Sequence, residues 1–214
     1  MTGVDTTRFV LSQLPPQPAR VLEIGTGGEG TLALALDGAG YEVVAIDPAA
    51  PQEEGIFRRI KVEELSADEL FHAIVAVRTL HHVTDLGPVL DKVRDHLRPG
   101  GVLVLEELGW ERLDASTADW FHGQQRALAA ATGAEAAASL DELRIEWEDE
   151  HVGLHGYEAM RAGLDARFRE RFFSWEPFIY KYLDRSVATE SLERSLIEAD
   201  AIQALGWRYT GEPR

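Results

Sequence analysis

Short apolar runs recur along the first half of the chain at the spacing that a repeating strand–helix unit requires. VLEIG (21–25), YEVVAID (41–47), FRRIKVE (57–63), HAIVAV (72–77) and GVLVLEE (101–107) are separated by stretches rich in Gly, Pro, Asp and charge. Runs of this length with such boundaries predict strands buried on both faces. Residues 84–97 instead carry Leu86, Val89, Leu90, Val93 and Leu97 at helical spacing. The Arg-Pro-Gly-Gly at 98–101 is expected to stop that helix and turn the chain into the fifth strand. Strands alternating with helices imply right-handed crossovers and a doubly wound, mostly parallel sheet. Residues 4–14 predict a short helix, closed by the proline-rich LPPQPAR stretch.

Beyond Trp110 the texture changes. Residues 115–140 are alanine-rich and helix-forming, an acidic stretch follows at 146–150, and residues 157–168 predict another helix. The expected organisation is one domain over 1–214, with 108–170 as a helical cap or substrate insertion beside the sheet. The end of the chain reads as strand (EPFIYKYL, 176–183), helix (189–205) and last strand (GWRYTG, 206–211).

Composition narrows the partners. The 21 Lys and Arg against 37 Asp and Glu give a net charge of −16 over 214 residues, and no basic cluster interrupts it. Polyanion binding depends on basic side chains that displace counterions, so neither nucleic acid nor an anionic membrane surface is expected as a partner. Small molecules rank above both. The absence of cysteine removes disulfides, zinc–thiolate sites and thiol nucleophiles. No basic segment precedes an apolar run at the start, and no stretch is long enough to span a bilayer. The cytoplasm is the expected location.

The richest chemistry lies in VLEIGTGGEGTLALAL (21–36). Gly25, Gly27 and Gly30 spell G-x-G-x-x-G between a predicted strand and helix, and Asp47 ends the next strand. Glycines let the backbone turn tightly against a ligand, and a carboxylate at that distance can accept ribose hydroxyls. The pattern alone also suits an NAD-binding oxidoreductase. Glu23 and Glu29, however, would oppose a pyrophosphate at the helix N-terminus, whereas they would favour a cationic nucleoside.

Together E-I-G-T-G, the AID ending in Asp47, and FHAIVAVRTLHHVTDLGPVLDKVRDHLRPGGVLVLEE resemble the class I S-adenosylmethionine-dependent methyltransferases. They are most similar to the type found in ubiquinone and menaquinone biosynthesis, over residues 21–107, with a fainter echo in GWRYTG. The resemblance implies a Rossmann-like α/β fold of seven strands, the last antiparallel, and S-adenosylmethionine as cofactor. It also implies methyl transfer to a small-molecule acceptor. Position by position, Glu23, Gly25 and Gly27 would line the methionine end of the cofactor and Asp47 the ribose. Glu63, or Glu64 beside it, would lie near the adenine, and Arg78 would offer its backbone carbonyl to the ammonium. Two departures stand out. Glu29 occupies the place of the third motif glycine, flanked by Gly28 and Gly30, and His72 replaces the acid usual after Phe71.

Methyl transfer needs alignment first, and a base only when the acceptor arrives protonated. His81 and His82, just after the fourth strand, are the candidates for catalysis. Glu106 and Glu107 are further candidates for a substrate contact. His151 and His155 lie beside Glu148, Asp149 and Glu150, but Gly153 separates them and no ligand pattern is completed, so no metal is expected. Trp110, Trp120, Phe121, Trp147, Phe172, Phe173 and Trp175 are expected in or beside the cap, mostly as core. An oxidoreductase, or a methyltransferase fold kept only for binding, are the rival readings.

Overall fold

The computed structural model describes residues 4–50 and 55–214. The chain divides into two compact units. The first gathers Met1–Glu107, Ala159–Phe173 and Arg208–Arg214; the second gathers Leu108–Glu158 and Ser174–Trp207.

A seven-stranded sheet in the order β3-β2-β1-β4-β5-β7-β6 holds β1 to β4 wholly within the first unit, while the ends of β5, β6 and β7 at 108, 174–176 and 206–207 are counted with the second. The strands are β1 (Arg20–Ile24), β2 (Glu42–Ile46), β3 (Phe57–Arg58), β4 (Phe71–Val77), β5 (Leu97–Leu108), β6 (Phe168–Glu176) and β7 (Gly206–Pro213). β1 pairs parallel with both β2 and β4, and β4 with β5. The sheet is mostly parallel, with antiparallel pairing among its last strands. Winding therefore reverses between β1 and β4, and in open α/β sheets the crevice at the carboxyl ends of such strands takes the ligand.

Helices α1 (Val4–Gln13), α2 (Thr31–Gly38) and α3 (Leu86–Asp95) complete the first half. Val21, Leu32, Leu36, Val43, Val75 and Val104 belong to one buried cluster between β-strands and helices. The face predicted for α3 is the buried one: Leu86, Val89, Leu90 and Val93 are each under a tenth exposed. Arg98–Gly101 does not precede β5 but lies inside it. The register slips there between Phe71↔Leu97 and Ala73↔Val102, with Gly100 at φ 76°, so the turn residues are absorbed as a bulge.

Two expected strands are corrected. FRRIKVE is strand only at Phe57–Arg58, after which the chain enters a 3-10 turn at Val62–Glu64. The Glu64 carboxylate captures the Lys61 N–H at 2.8 Å and bends the backbone away from the sheet edge. EPFIYKYL is strand only at Glu176, the end of β6, and Ile179–Tyr182 is a 3-10 turn. The buried Glu193 carboxylate accepts the N–H groups of Phe178, Ile179 and Tyr180 at 2.7, 2.9 and 2.8 Å, which leaves none of them for a ladder. The sixth strand is FRERFFSWE, expected partly as the end of a helix. It is an edge strand in which residues 169–172 are exposed and only Phe168 is buried, so its charges replace the apolar run that betrays a central strand. Phe172 and Phe173 accordingly belong to β6 in the first unit.

The second unit carries α4 (Ala115–Thr132), α5 (Leu140–His151) and α7 (Val187–Glu198). Asp114, Ser139 and Ser186 cap these helices, each accepting an N–H three residues on. Leu108, Phe121, Leu143, Trp147, Ile179 and Leu205 belong to its own buried cluster. The helix α6 (Tyr157–Asp165) precedes β6.

Candidate functional site

Every residue singled out for the cofactor or for catalysis lies in the first unit. β1 hands its last hydrogen bond to the loop: the Gly25 N–H donates to the Ile46 carbonyl at 2.9 Å. Gly25 has φ +81°, and a Cβ there would sit 2.0 Å from Thr79 Oγ1. Both the backbone hand and the contact demand glycine. Gly27, at φ +60°, faces open space. Gly30, at φ +59°, would drive a Cβ to 2.4 Å from the Phe57 ring, so β3 packs directly against the end of the loop.

Asp47 closes the loop from the neighbouring strand. Its Oδ2 accepts the Gly27 N–H at 3.1 Å and its Oδ1 the Ala49 N–H at 2.7 Å. A carboxylate has about four acceptor positions, so two remain for hydroxyls.

Glu23 is only 2% exposed, and its Oε2 has no hydrogen-bond partner. Burial pushes its carboxyl up to about 8; a backbone hydrogen bond at Ala33 opposes this, and the Asp47 charge adds to it. An orphaned buried acceptor beside a loop free of Lys and Arg offers a phosphate no counter-charge, whereas a cation would draw the carboxyl back to its ionised form. The site thus suits a nucleoside carrying positive charge.

At the end of β4 the backbone is strained. Arg78 is a non-glycine residue at φ +53°, with its N–H bound to the Glu106 carbonyl at 2.7 Å. The next three residues converge on Glu107, which is fully buried. Glu107 Oε1 accepts the N–H groups of Thr79 and Leu80 at 2.8 and 2.6 Å, and Oε2 lies 2.6 Å from His81 Nδ1. Facing that carboxylate, Nδ1 is the side of the ring suited to carry a proton, and in the neutral ring Nε2 is then the acceptor. His82 is exposed, its ring centroid 4.1 Å from that of His81.

Glu106 has a different task. It accepts Thr6 Oγ1 at 2.9 Å and pairs with Arg208, Nε at 3.0 Å and Nη2 at 2.9 Å. Consecutive strand residues point to opposite faces, so only Glu107 joins the His81 cluster. Glu63 lies exposed on the 3-10 turn after β3, whereas the Glu64 carboxylate is spent on Lys61. Thr79, packed on Gly25, and Glu107 as the partner of His81 were not predicted in these roles. Periodicity places neither, since both depend on a contact between distant strand ends.

Residues 5–153 match the family model described as a methyltransferase domain. The chain belongs to this methyltransferase family.

Similarity in sequence reaches a ubiquinone biosynthesis O-methyltransferase of Xanthomonas axonopodis pv. citri, 34% identical over 115 residues, or 47% of this chain and 47% of that protein. The matches to such curated relatives span less than half of the relatives' own length. In fold, this methyltransferase domain resembles PH0226 from Pyrococcus horikoshii OT3, with a TM-score of 0.60 at 14% identity over 99% of this chain and 89% of that one. It also resembles an S-adenosylmethionine-dependent methyltransferase from Mesorhizobium loti, with a TM-score of 0.59 at 13% identity over 97% and 96%.

The second unit of the methyltransferase chain is aromatic inside. His151 is buried with Nδ1 on the Trp147 carbonyl at 2.7 Å and its ring 4.2 Å from that of Trp147, centroid to centroid. It is a core residue. Among the described residues no group of three or more His, Cys, Asp or Glu could hold a metal ion. A cavity of about 340 Å³ opens beside Trp110, Arg144, Trp147 and Glu148, lined by residues of this unit alone. No helix among the described residues is long and apolar enough to cross a membrane.

Proposed function

We propose that this chain is an S-adenosylmethionine-dependent methyltransferase acting on a small-molecule acceptor. The observation that carries the reading is Glu23, a buried carboxyl with an unpartnered oxygen at the head of an acid-flanked glycine loop. The pyrophosphate of NAD would find no counter-charge there, while an ammonium would supply the missing partner and favour the ionised carboxyl.

Glu23 holds the cationic amino-acid end, and Gly25 and Gly27 let the backbone approach it. Asp47 uses its spare acceptor positions on the ribose, Glu63 lies toward the base, and the Arg78 carbonyl serves the ammonium. When bound, S-adenosylmethionine supplies a methyl group on a sulfonium, an electrophile that needs no further activation. The chain's task is then to align the acceptor and receive its proton. His81 Nε2, opposite the Nδ1 anchored on Glu107, takes that proton, and His82 forms the adjoining surface. Of the stretch 108–170 expected as the substrate insertion, residues 108–158, which belong to the second unit, serve as that insertion. The name of the Xanthomonas relative makes an oxygen acceptor the first to test. A cytoplasmic enzyme that binds neither nucleic acid nor membrane fits the net charge of −16.

Calorimetric titration with S-adenosylhomocysteine, beside NAD, tests the reading. Micromolar binding of the former alone is expected. Tighter binding of NAD would make the chain an oxidoreductase, and binding of neither would leave a scaffold.

A further inference from the structure

The loop after β3 has no strand to hold it. β3 ends at Arg58, level with Ile46, and the Asp47 N–H donates to the Arg58 carbonyl at 3.2 Å. The chain from Arg59 onward therefore leaves the sheet at the edge where Asp47 stands, and the exposed carboxylate of Glu63 lies on it. Two carbonyls of this loop accept from a lysine in the last turn of α3, and a third faces the ring of the residue that caps that helix. Lys92 Nζ donates to the Glu63 and Leu65 carbonyls at 3.0 and 2.8 Å. His96 is only 4% exposed; its Nε2 lies 3.1 Å from the Ser66 carbonyl and its Nδ1 2.8 Å from the Lys92 carbonyl.

This is more than a helix needs for its own termination. A lysine near a helix C-terminus can satisfy that helix's own last carbonyls, yet Lys92 reaches across to a different segment. Val62 and Leu65 are buried on either side of Glu63 and Glu64, so the apolar residues fix the depth of the loop. Lys92, with the His96 ring set against the Ser66 carbonyl, fixes its backbone orientation, and with it the direction of Glu63. Local bonds add to this hold: Lys61 to Glu64 in both directions, Leu65 to Val62, and Glu69 to Ser66.

We infer that Lys92 and His96 are positioning residues for the nucleoside end of the cofactor site, holding residues 63–66 so that Glu63 faces the base. The inference rests on the proposed cofactor. Lys92 touches no ligand and acts only through the loop.

The test compares Lys92→Met and Lys92→Arg with the wild type. Each is titrated with S-adenosylhomocysteine and with S-inosylhomocysteine, which differs only at the base. Charge-assisted hydrogen bonds are the stronger kind, and losing two of them should weaken S-adenosylhomocysteine binding about tenfold, equivalent to about 1.4 kcal/mol. The inosyl analogue should weaken less, so that discrimination between the two bases narrows. Lys92→Arg should recover part of both. A structural role alone would lower thermal stability and leave discrimination intact, which would overturn the inference. Hydrogen exchange on the wild type gives a reading that needs no variant: amides 61–66 should gain protection with S-adenosylhomocysteine, and unchanged exchange there would also overturn it. Failure of the wild type to bind S-adenosylhomocysteine would instead remove the cofactor reading beneath it.

Discussion

Glu23 combines two opposed demands, burial for the fold and charge for the ligand. Its carboxyl is pushed from 4.5 up to about 8, first by burial. The folded state thus prefers the protonated form more than the unfolded chain does. The associated stability is complete below pH 4.5 and is lost as pH rises toward 8. Each pH unit inside that window costs at most about 1.4 kcal/mol. Urea denaturation of the wild type should show this decline, and Glu23→Gln should flatten it while weakening S-adenosylhomocysteine. An equal slope in both proteins would place the titration elsewhere. The glycines divide in the same concrete way. Gly25→Ala meets both positive φ and the Thr79 side chain, whereas Gly27→Ala meets positive φ alone. The expected losses are about 3 kcal/mol and about 1 kcal/mol, read from denaturation midpoints; equal losses would mean that Thr79 simply moves aside.

Elements were legible where one side of them is buried by rule. β1, β2, β4 and α3 announced themselves because central strands and amphipathic helices must hide apolar residues. The glycine loop and Asp47 were legible for a related reason, since turn chemistry and an acid at fixed spacing are written locally. β6 was not legible, because an edge strand is free to carry Arg169, Glu170 and Arg171 in the open. The 3-10 turn at Ile179–Tyr182 was hidden for the opposite reason. Its apolar residues suggest a strand, but its geometry is dictated by Glu193, a helix residue 11 or more positions away. Glu193 is held above the ordinary carboxylate range by burial, against three backbone hydrogen bonds that lower it. Glu193→Ala would strand the N–H groups of buried Phe178 and Ile179 and of half-buried Tyr180, and should cost about 3 kcal/mol or more. A loss below about 1 kcal/mol would show that water or a rearranged turn replaces the carboxylate.

At the scale of the molecule, the pairing of His81 with Glu107 joins the ends of β4 and β5 across 26 residues, which no local pattern reports. Glu107→Gln should therefore lower kcat with little change in S-adenosylhomocysteine affinity, provided the acceptor arrives protonated; an unchanged kcat would deny His81 its role as base. The same scale offers a probe of cooperativity. All five tryptophans, at 110, 120, 147, 175 and 207, fall in the second unit, while the proposed cofactor residues fall in the first. Trp110, Trp120 and Trp147 therefore weight fluorescence toward the second unit, although Trp175 and Trp207 stand on β6 and β7 of the sheet. Far-UV circular dichroism follows both units. Each unit has its own buried cluster, so each can in principle unfold with its own midpoint. A ligand stabilises only what it binds in folded form. S-adenosylhomocysteine should then raise the midpoint seen by circular dichroism more than that seen by fluorescence. Equal shifts in the two signals would mean that the second unit cannot stay folded without the first, and that the chain unfolds as a single body.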